Sequence, residues 1–256
     1  MISSVLRRPL EVTYLLVLRD FRGRYKHTRV GMLWSVINPL LFLFIFYFVF
    51  SEVLAVKTPR YASFAFVGIL SWSWLQNSLT SAASSISGNP GLVSQPGFPV
   101  GTLPVVSTST ALLNLLLSAP VLAAILLFEG ARPGLALAAL PLVLAINFVL
   151  ILGLAYLVAA VNVAFRDVEH ILPIILQLGY YVTPIFYSTD RIPARYHWVF
   201  QFNPMAHMIE AYRDILLDDR WPAPGSLLGA GIAGALLLGA GIAYFRRARF
   251  RFLEEI

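Results

Sequence analysis

Two short stretches of the chain bring together side chains that could move a proton or hold a metal. Arg166, Asp167, Glu169 and His170 fall within five consecutive residues, and a carboxylate beside an imidazole is common equipment for acid–base catalysis. They lie in a short connection between two apolar stretches, however, where charges gather simply because water is there. His207 and Glu210 are three residues apart and would share one face of a helix. A metal site needs further ligands, and none follows in the pattern. The chain has no cysteine, which removes disulfides, thiolate metal sites and a cysteine nucleophile. Its four histidines (His27, His170, His197 and His207) are scattered. No catalytic residue and no metal site is expected.

Residues that couple an energy source to movement are missing too. A P-loop needs Gly-x-x-x-x-Gly-Lys followed by Ser or Thr, and the only lysines, Lys26 and Lys57, have no such context. The chain is therefore not expected to hydrolyse ATP or to carry a cofactor of its own. Carriers driven by protons or sodium keep ionisable groups at mid-membrane, and the cores of the apolar stretches hold none. What those stretches do hold is amides and aromatics: Asn38, Gln76, Asn77, Asn114, Asn147, Asn162 and Gln177, with Tyr180, Tyr181 and Tyr187. In lipid such groups hydrogen-bond one helix to another and form belts at the membrane surface. They could equally line a path for a polyhydroxylated solute, stacking on sugar rings and exchanging hydrogen bonds with hydroxyls. Residue type alone leaves both readings open.

The elements that must position these groups follow from composition. Of 256 residues, 58% are hydrophobic and 12% charged, against roughly a quarter charged in soluble domains. Residues 61–128 contain no Asp, Glu, Lys or Arg, and one bilayer crossing needs only about 20 residues. An all-α integral membrane protein is predicted, one domain over 1–256, with six spans at about 30–53, 62–83, 104–128, 135–160, 171–187 and 226–245. The fifth, holding Pro173 and Pro184, should be bent. Leu10, Tyr14, Val17, Phe21 and Tyr25 form one stripe of a helix over about 5–28 whose other face is basic, the pattern of a helix in the headgroup layer. Residues 190–217 read as a hairpin of two short helices, 194–202 and 205–217, broken at Asn203-Pro204. They are too apolar for a free loop, so a re-entrant or interfacial hairpin is expected. Small residues four apart in the last span (Gly225 and Gly229, Ala230 and Gly234, Ala235 and Gly239) should let helices approach closely. Arg213 is placed to relieve repulsion between Glu210 and Asp214.

Net charge is +6, but in a membrane chain basic residues read first as flanks of the spans rather than as a nucleic-acid surface. Twelve Lys and Arg fall on the side of the two termini and seven on the other, which puts both termini in the cytoplasm. Seven of them lie in the first thirty residues, with no continuous apolar region there, so no cleavable signal is expected.

Several runs resemble the polysaccharide-export permeases of ABC transporters, the type 2 membrane subunits that export lipid-linked O-antigen or teichoic acid. The first is Arg19-Asp20-Phe21-Arg22-Gly23-Arg24-Tyr25, followed by Gly31-Met32-Leu33-Trp34-Ser35 and Asn38-Pro39-Leu40. In order come Phe66-Val67-Gly68-Ile69-Leu70-Ser71-Trp72, Asn89-Pro90-Gly91-Leu92-Val93 with Phe98-Pro99, Asn162-Val163-Ala164-Phe165-Arg166-Asp167, Thr183-Pro184-Ile185-Phe186-Tyr187 and Asn203-Pro204-Met205 with Glu210-Ala211-Tyr212-Arg213. The set covers about residues 15–245.

That resemblance implies a homodimer in a bacterial cytoplasmic membrane, paired with two copies of a separate subunit that holds ATP and magnesium. It implies that Arg19, Asp20, Arg22 and Tyr25, with Asn89, Pro90, Leu92 and Phe98, contact that subunit. It implies an outer gate at 190–217 carrying Tyr196, Trp198, Asn203, Pro204, Glu210 and Arg213. Phe46, Tyr47, Tyr180, Tyr181 and Tyr187, on the aromatic first and fifth spans, would line the polymer channel. The chain departs from the pattern at Ser94-Gln95-Pro96-Gly97 and Val100-Gly101-Thr102, where basic residues are usual, so its contact with the ATPase, or with a substrate pyrophosphate, should be more apolar or weaker. Arg19, Arg22, Arg24 and Lys26 either attract a substrate phosphate or form a solvated basic face. A drug or lipid permease of the same type is the alternative function. An enzyme acting on polyprenyl-linked sugars would have to use Asp167, Glu169 and Asp190.

Overall fold

A computed structural model describes residues 9–25, 31–54, 58–132, 134–189 and 192–249, without the side chains of Arg24, Tyr25 and Met32. The regular elements among the described residues are all helical, with no strand. Helix α1 is Pro9–Tyr25 and α2 is Trp34–Tyr47, prolonged by a π turn, Phe48–Val53. Then come α3 (Tyr61–Ala83), the short α4 (Pro90–Val93) and α5 (Thr102–Phe128). A 3-10 turn, Leu135–Ala139, leads into α6 (Leu140–Ala164), followed by α7 (Val168–Val182). A further turn, Ala194–Tyr196, leads to α8 (His197–Gln201), then α9 (Pro204–Leu216) and α10 (Pro224–Ala248).

Among the described residues, four helical stretches are long and apolar enough to cross a membrane: Trp34–Val53, Thr102–Phe128, Leu135–Ala164 and Pro224–Ala248. The shortest has 20 residues, about 30 Å at 1.5 Å per residue, the thickness of the hydrocarbon layer. The two remaining apolar helices differ for different reasons. Helix α3 has the length, 23 residues, but carries serines and amides, because its neighbours are protein. Phe66, Ile69 and Trp74 are fully buried along it, Ser71 and Ser78 donate back to Val67 and Trp74 O, and the Trp74 indole donates to Thr108 O at 3.2 Å. It is the axis around which α2, α5, α6, α7 and α9 pack. Helix α7 has only 15 residues, about 22 Å.

The predicted fifth span, 171–187, stops short of its expected end. Residues ahead of proline avoid the helical region; Thr183, before Pro184, is extended at φ −72° and ψ 140°. Residues 183–187 leave the helix as a strap, whose Ile185 and Phe186 are buried.

Helix α1 packs on α5 through Val12 and Leu16. The expected stripe points elsewhere at its start: Leu10 is 85% exposed and Tyr14 64%. Residues 5–8 and 26–28 lie outside the described residues. The small-residue pairs of the last span also divide. Ala230 and Gly234 do lie against α6, and a Cβ on Gly241 would sit 2.5 Å from Gly153 O, one on Gly153 2.5 Å from Leu238 N. A Cβ on Gly225, Gly229 or Gly239 would meet nothing within 4 Å, so the lack of a side chain at those positions is not what brings α6 and α10 together.

The bundle has two distinct ends. The near end holds α1, the 84–101 connection, the α6–α7 link and the C-terminus of α10. The far end holds Arg60, Glu129, Asp219, α8 and the strap.

Candidate functional site

At the near end, the Arg19 guanidinium donates to Asn89 Oδ1 at 3.4 Å, joining α1 to the 84–101 connection. Asn89 in turn donates to Ser85 O at 3.0 Å, and Pro90 opens α4, a position that costs no hydrogen bond. Phe98 and Val93 are buried and Leu92 half-buried, anchoring a loop whose other residues, Gly91 and Ser94 to Gly97, are exposed. The Tyr156 hydroxyl donates to Gly101 O at 2.7 Å and Asn162 donates to Ala83 O at 2.8 Å. These bonds brace the connection against α6. The structure thus brings Arg19, Asn89, Pro90, Leu92 and Phe98 to one corner; Arg22 is exposed on the same helix, Asp20 is half-buried, and the Tyr25 side chain lies outside the described residues. Tyr156 and Asn162 complete the corner and were not singled out for it; an amide and a phenol in apolar spans were the only signal.

Between α2, α3, α7 and the strap lies a nest of rings. Phe46 stacks on Phe186 with centroids 3.7 Å apart, Tyr180 meets Phe186 edge-on at 5.1 Å, and Phe50 and Tyr61 stack at 6.2 Å. The Tyr61 hydroxyl donates to Phe186 O at 3.3 Å. Phe186, at the centre, was quoted in a motif but not taken as a site residue. It gets there because Pro184 ends the helix and turns the chain inward. Of the five expected wall residues, Phe46 and Tyr180 belong to this nest. Tyr180 is 7% exposed, whereas its neighbour Tyr181 is 54% exposed on the outer face of α7. Tyr47 is exposed too, 6.3 Å from the Tyr61 ring. The Tyr187 hydroxyl donates to Val182 O at 2.7 Å, closing the end of α7.

At the far end, the Asn203 side chain caps α9, accepting from Met205 N at 3.0 Å and Ala206 N at 3.3 Å, and Pro204 follows at the first helical position. Its amide donates to Thr183 Oγ1 at 3.0 Å, tying α9 to the strap. Arg213 makes no ion pair with Glu210 or Asp214, although the Glu210 charge still acts on it. Its guanidinium lies over the Phe64 ring at 3.4 Å and donates to Phe64 O, Pro184 O (2.8 Å) and Ile185 O (2.7 Å). Gly68 permits this: a Cβ there would lie 3.0 Å from Ile185 Cγ2 and 3.1 Å from Arg213 Nη2. Asp214 pairs instead with Arg220 at 3.5 Å, and Arg220 also meets Asp218 at 2.7 Å. Burial raises the Asp214 carboxyl above the usual carboxylate range against the pull of Arg220. Glu210, Tyr196 and Trp198 are exposed, the last two as bulky rings on the rim.

The two stretches first considered for chemistry are engaged in local backbone structure. Asp167 stands at the start of α7, where its backbone carbonyl accepts from His170 N and Ile171 N. The His207 ring bonds Gln201 O at 2.9 Å, and no group of three His, Cys, Asp or Glu side chains fit for a metal occurs among the described residues.

The ABC-2 type transporter family model matches residues 11–217. The chain is 32% identical over 239 residues to the O-antigen export system permease protein RfbA of Klebsiella pneumoniae, covering 92% of this chain and 91% of that protein. It is 32% identical over 243 residues to the protein of the same name from Myxococcus xanthus, covering 94% of each. The polysialic acid transport protein KpsM of Escherichia coli is 25% identical over 244 residues, covering 90% of this chain and 91% of KpsM. With all of α1 to α9 except the first two residues of α1 and no more than the loop beyond α9 inside the matched region, the chain belongs to the ABC-2 type transporter family of membrane proteins.

Proposed function

We propose that this chain is the channel-forming permease of an ATP-driven exporter of lipid-linked polysaccharide. The observation that carries the reading is end-to-end similarity to O-antigen export permeases at 32% identity. In this reading α3 and α7 complete six crossings of a bacterial cytoplasmic membrane, with both termini in the cytoplasm. The near end then faces the cytoplasm, and two permeases assemble with two ATP-binding subunits that hold ATP and magnesium. One six-helix bundle is too small to enclose a glycan, so the passage forms at a two-fold seam. The exposed faces of α2 and α7, with Phe44, Tyr47, Leu178 and Tyr181 outward, support a seam there, and the ring nest behind them stiffens its wall. The sugar slides past rings and amides that hold it weakly.

Closure of the ATP-binding subunits pushes on the exposed 88–97 loop and on α1. The Arg19–Asn89 bond makes the two move together, and the hairpin of α8 and α9, whose short apolar helices support a re-entrant gate, opens at the far end. The test is surface display of a polymer in cells lacking their own permease. Export is expected with this chain plus its ATP-binding partner, and not when the partner's P-loop lysine is replaced. Display without any ATP-binding partner overturns the reading.

A further inference from the structure

We propose that the far-end trough along α9 is a glycan subsite that selects uncharged polysaccharide. The inference rests on the polysaccharide reading above and adds the class of polymer. Two clefts of about 420 and 220 Å³ adjoin there and share Thr189, Ala206 and Glu210 as a common wall. The larger alone falls in the range of small-molecule sites, about 300–1,000 Å³. From Gln201 to Asp218 the two together follow the whole length of α9, a groove suited to a linear chain and not to a compact ligand.

The lining has the chemistry that sugar rings require. Carboxylates at Glu210 and Asp214 accept hydrogen bonds from hydroxyls. Ser188 and Thr189 both donate and accept, and Pro184 and Phe200 offer apolar surface to the C–H faces of a ring. Arg213 forms the floor. Its four hydrogen bonds to the carbonyls of Phe64, Pro184 and Ile185 use four of the five N–H donors of a guanidinium. That leaves Arg213 a floor whose charge is turned mainly to backbone. Glu210 is exposed at the junction of the two clefts and touches whatever occupies either one.

Charge decides the class. Three carboxylates, Glu210, Asp214 and Asp218, outnumber the two guanidinium groups of the lining by one. Arg220 is paired with Asp214 and Asp218, Arg213 is turned to backbone carbonyls, and Glu210 is the carboxylate left without an ion pair among the described residues. A polymer bearing a carboxylate or phosphate on each repeat meets net repulsion in this trough, while a neutral one meets hydrogen-bond acceptors. A bound cation is the weaker reading, since no three acidic or histidine ligands converge among the described residues.

The experiment uses the permease assembled with its ATP-binding subunit in lipid nanodiscs, with saturation-transfer NMR against mannotetraose and tetrasialic acid. The wild type is expected to bind the neutral probe at least about tenfold more tightly, a difference of about 1.4 kcal/mol. Glu210→Lys should erase or reverse that preference, Glu210→Gln should narrow it, and Ser188→Trp should block the neutral probe by filling the cleft. Equal affinity for both probes, or neutral binding untouched by Ser188→Trp and by both Glu210 variants, overturns the inference. Polymer display in the same strains separates the two levels. Display that persists with no probe bound at α9 overturns the trough alone, whereas absence of polymer display by the wild type with its ATP-binding partner overturns the export reading.

Discussion

At the far end of the bundle, helix starts are closed by side chains reaching across from other elements. Glu129, at the end of α5, accepts from Ala62 N at 3.1 Å and Ser63 N at 2.8 Å, capping α3 behind a left-handed Arg60. Asp219, itself left-handed at φ 48°, accepts from Gly134 N and Ala136 N ahead of α6, and the Arg60 guanidinium reaches Leu217 O. The near end is built differently. Its 84–101 connection is tied to α1 by one long bond between Arg19 and Asn89, and the exposed residues 94–97 make no such cross-ties beyond local turns. The far end has its helix starts closed by side chains, whereas the near end is braced at Gly101 and Ala83 by Tyr156 and Asn162 and leaves the polar and glycine-rich stretch 94–97 exposed. In the export reading proposed above, that contrast suits a machine driven from one side, with a gate of defined closed state at the far end and a contact face for the driver at the near end.

The comparison breaks most sharply at Arg213. Replacing it by Leu leaves the carbonyls of Phe64, Pro184 and Ile185 without their donor in a half-buried site, and losing one partner of a buried charged network costs about 3–5 kcal/mol. A fall in melting temperature of ten degrees or more is expected in detergent or nanodiscs, with Lys recovering part of it. No loss of stability would show that the far end is not held together by this residue. Gly153→Leu comes next. Its side chain must enter backbone of α10 that already lies 2.5 Å from the Cβ position, and overpacking costs about 1–3 kcal/mol. Thermal unfolding of that variant at the wild-type temperature would mean that α6 and α10 separate freely.

Smaller effects refine the contrast. Glu129→Ala removes a helix cap, worth about 1 kcal/mol, and should lower the melting temperature by a few degrees while leaving ATP-binding-subunit assembly intact. Arg19→Ala should do the reverse. An exposed pair contributes at most about 1 kcal/mol, so stability should hardly move, while ATP-driven export falls because α1 no longer follows the connection. If export were untouched and stability dropped instead, the near end would be structural like the far end.

Residue pattern reached the elements further than it reached their endings. The runs of apolar residues placed α2, α3, α5, α6 and α10 to within a few positions, and Asn203-Pro204 marked the break in the far-end hairpin because an amide cap and a proline have few other uses in sequence. Pro184 was visible, but its effect was read as a bend; the end of α7 depends on Thr183 taking an extended backbone that the ring nest then rewards. Tyr180 and Tyr181 look alike in sequence, but the roughly 100° of helix between them turns one inward and the other outward. Arg213 shows the same limit: spacing offered it two carboxylates on its own helix, and the fold offered three carbonyls from elsewhere at shorter range.

What the sequence by itself determined is the solvent: so little charge and so many long apolar runs require lipid. What only the tertiary structure decided is which polar group answers which. Hydrophobicity sums along a chain and can be read there, but a hydrogen bond between Arg19 and Asn89, or between Arg213 and the strap, joins residues 70 and about 28 positions apart. Such partners are chosen by how helices pack, and packing is decided by shape in three dimensions.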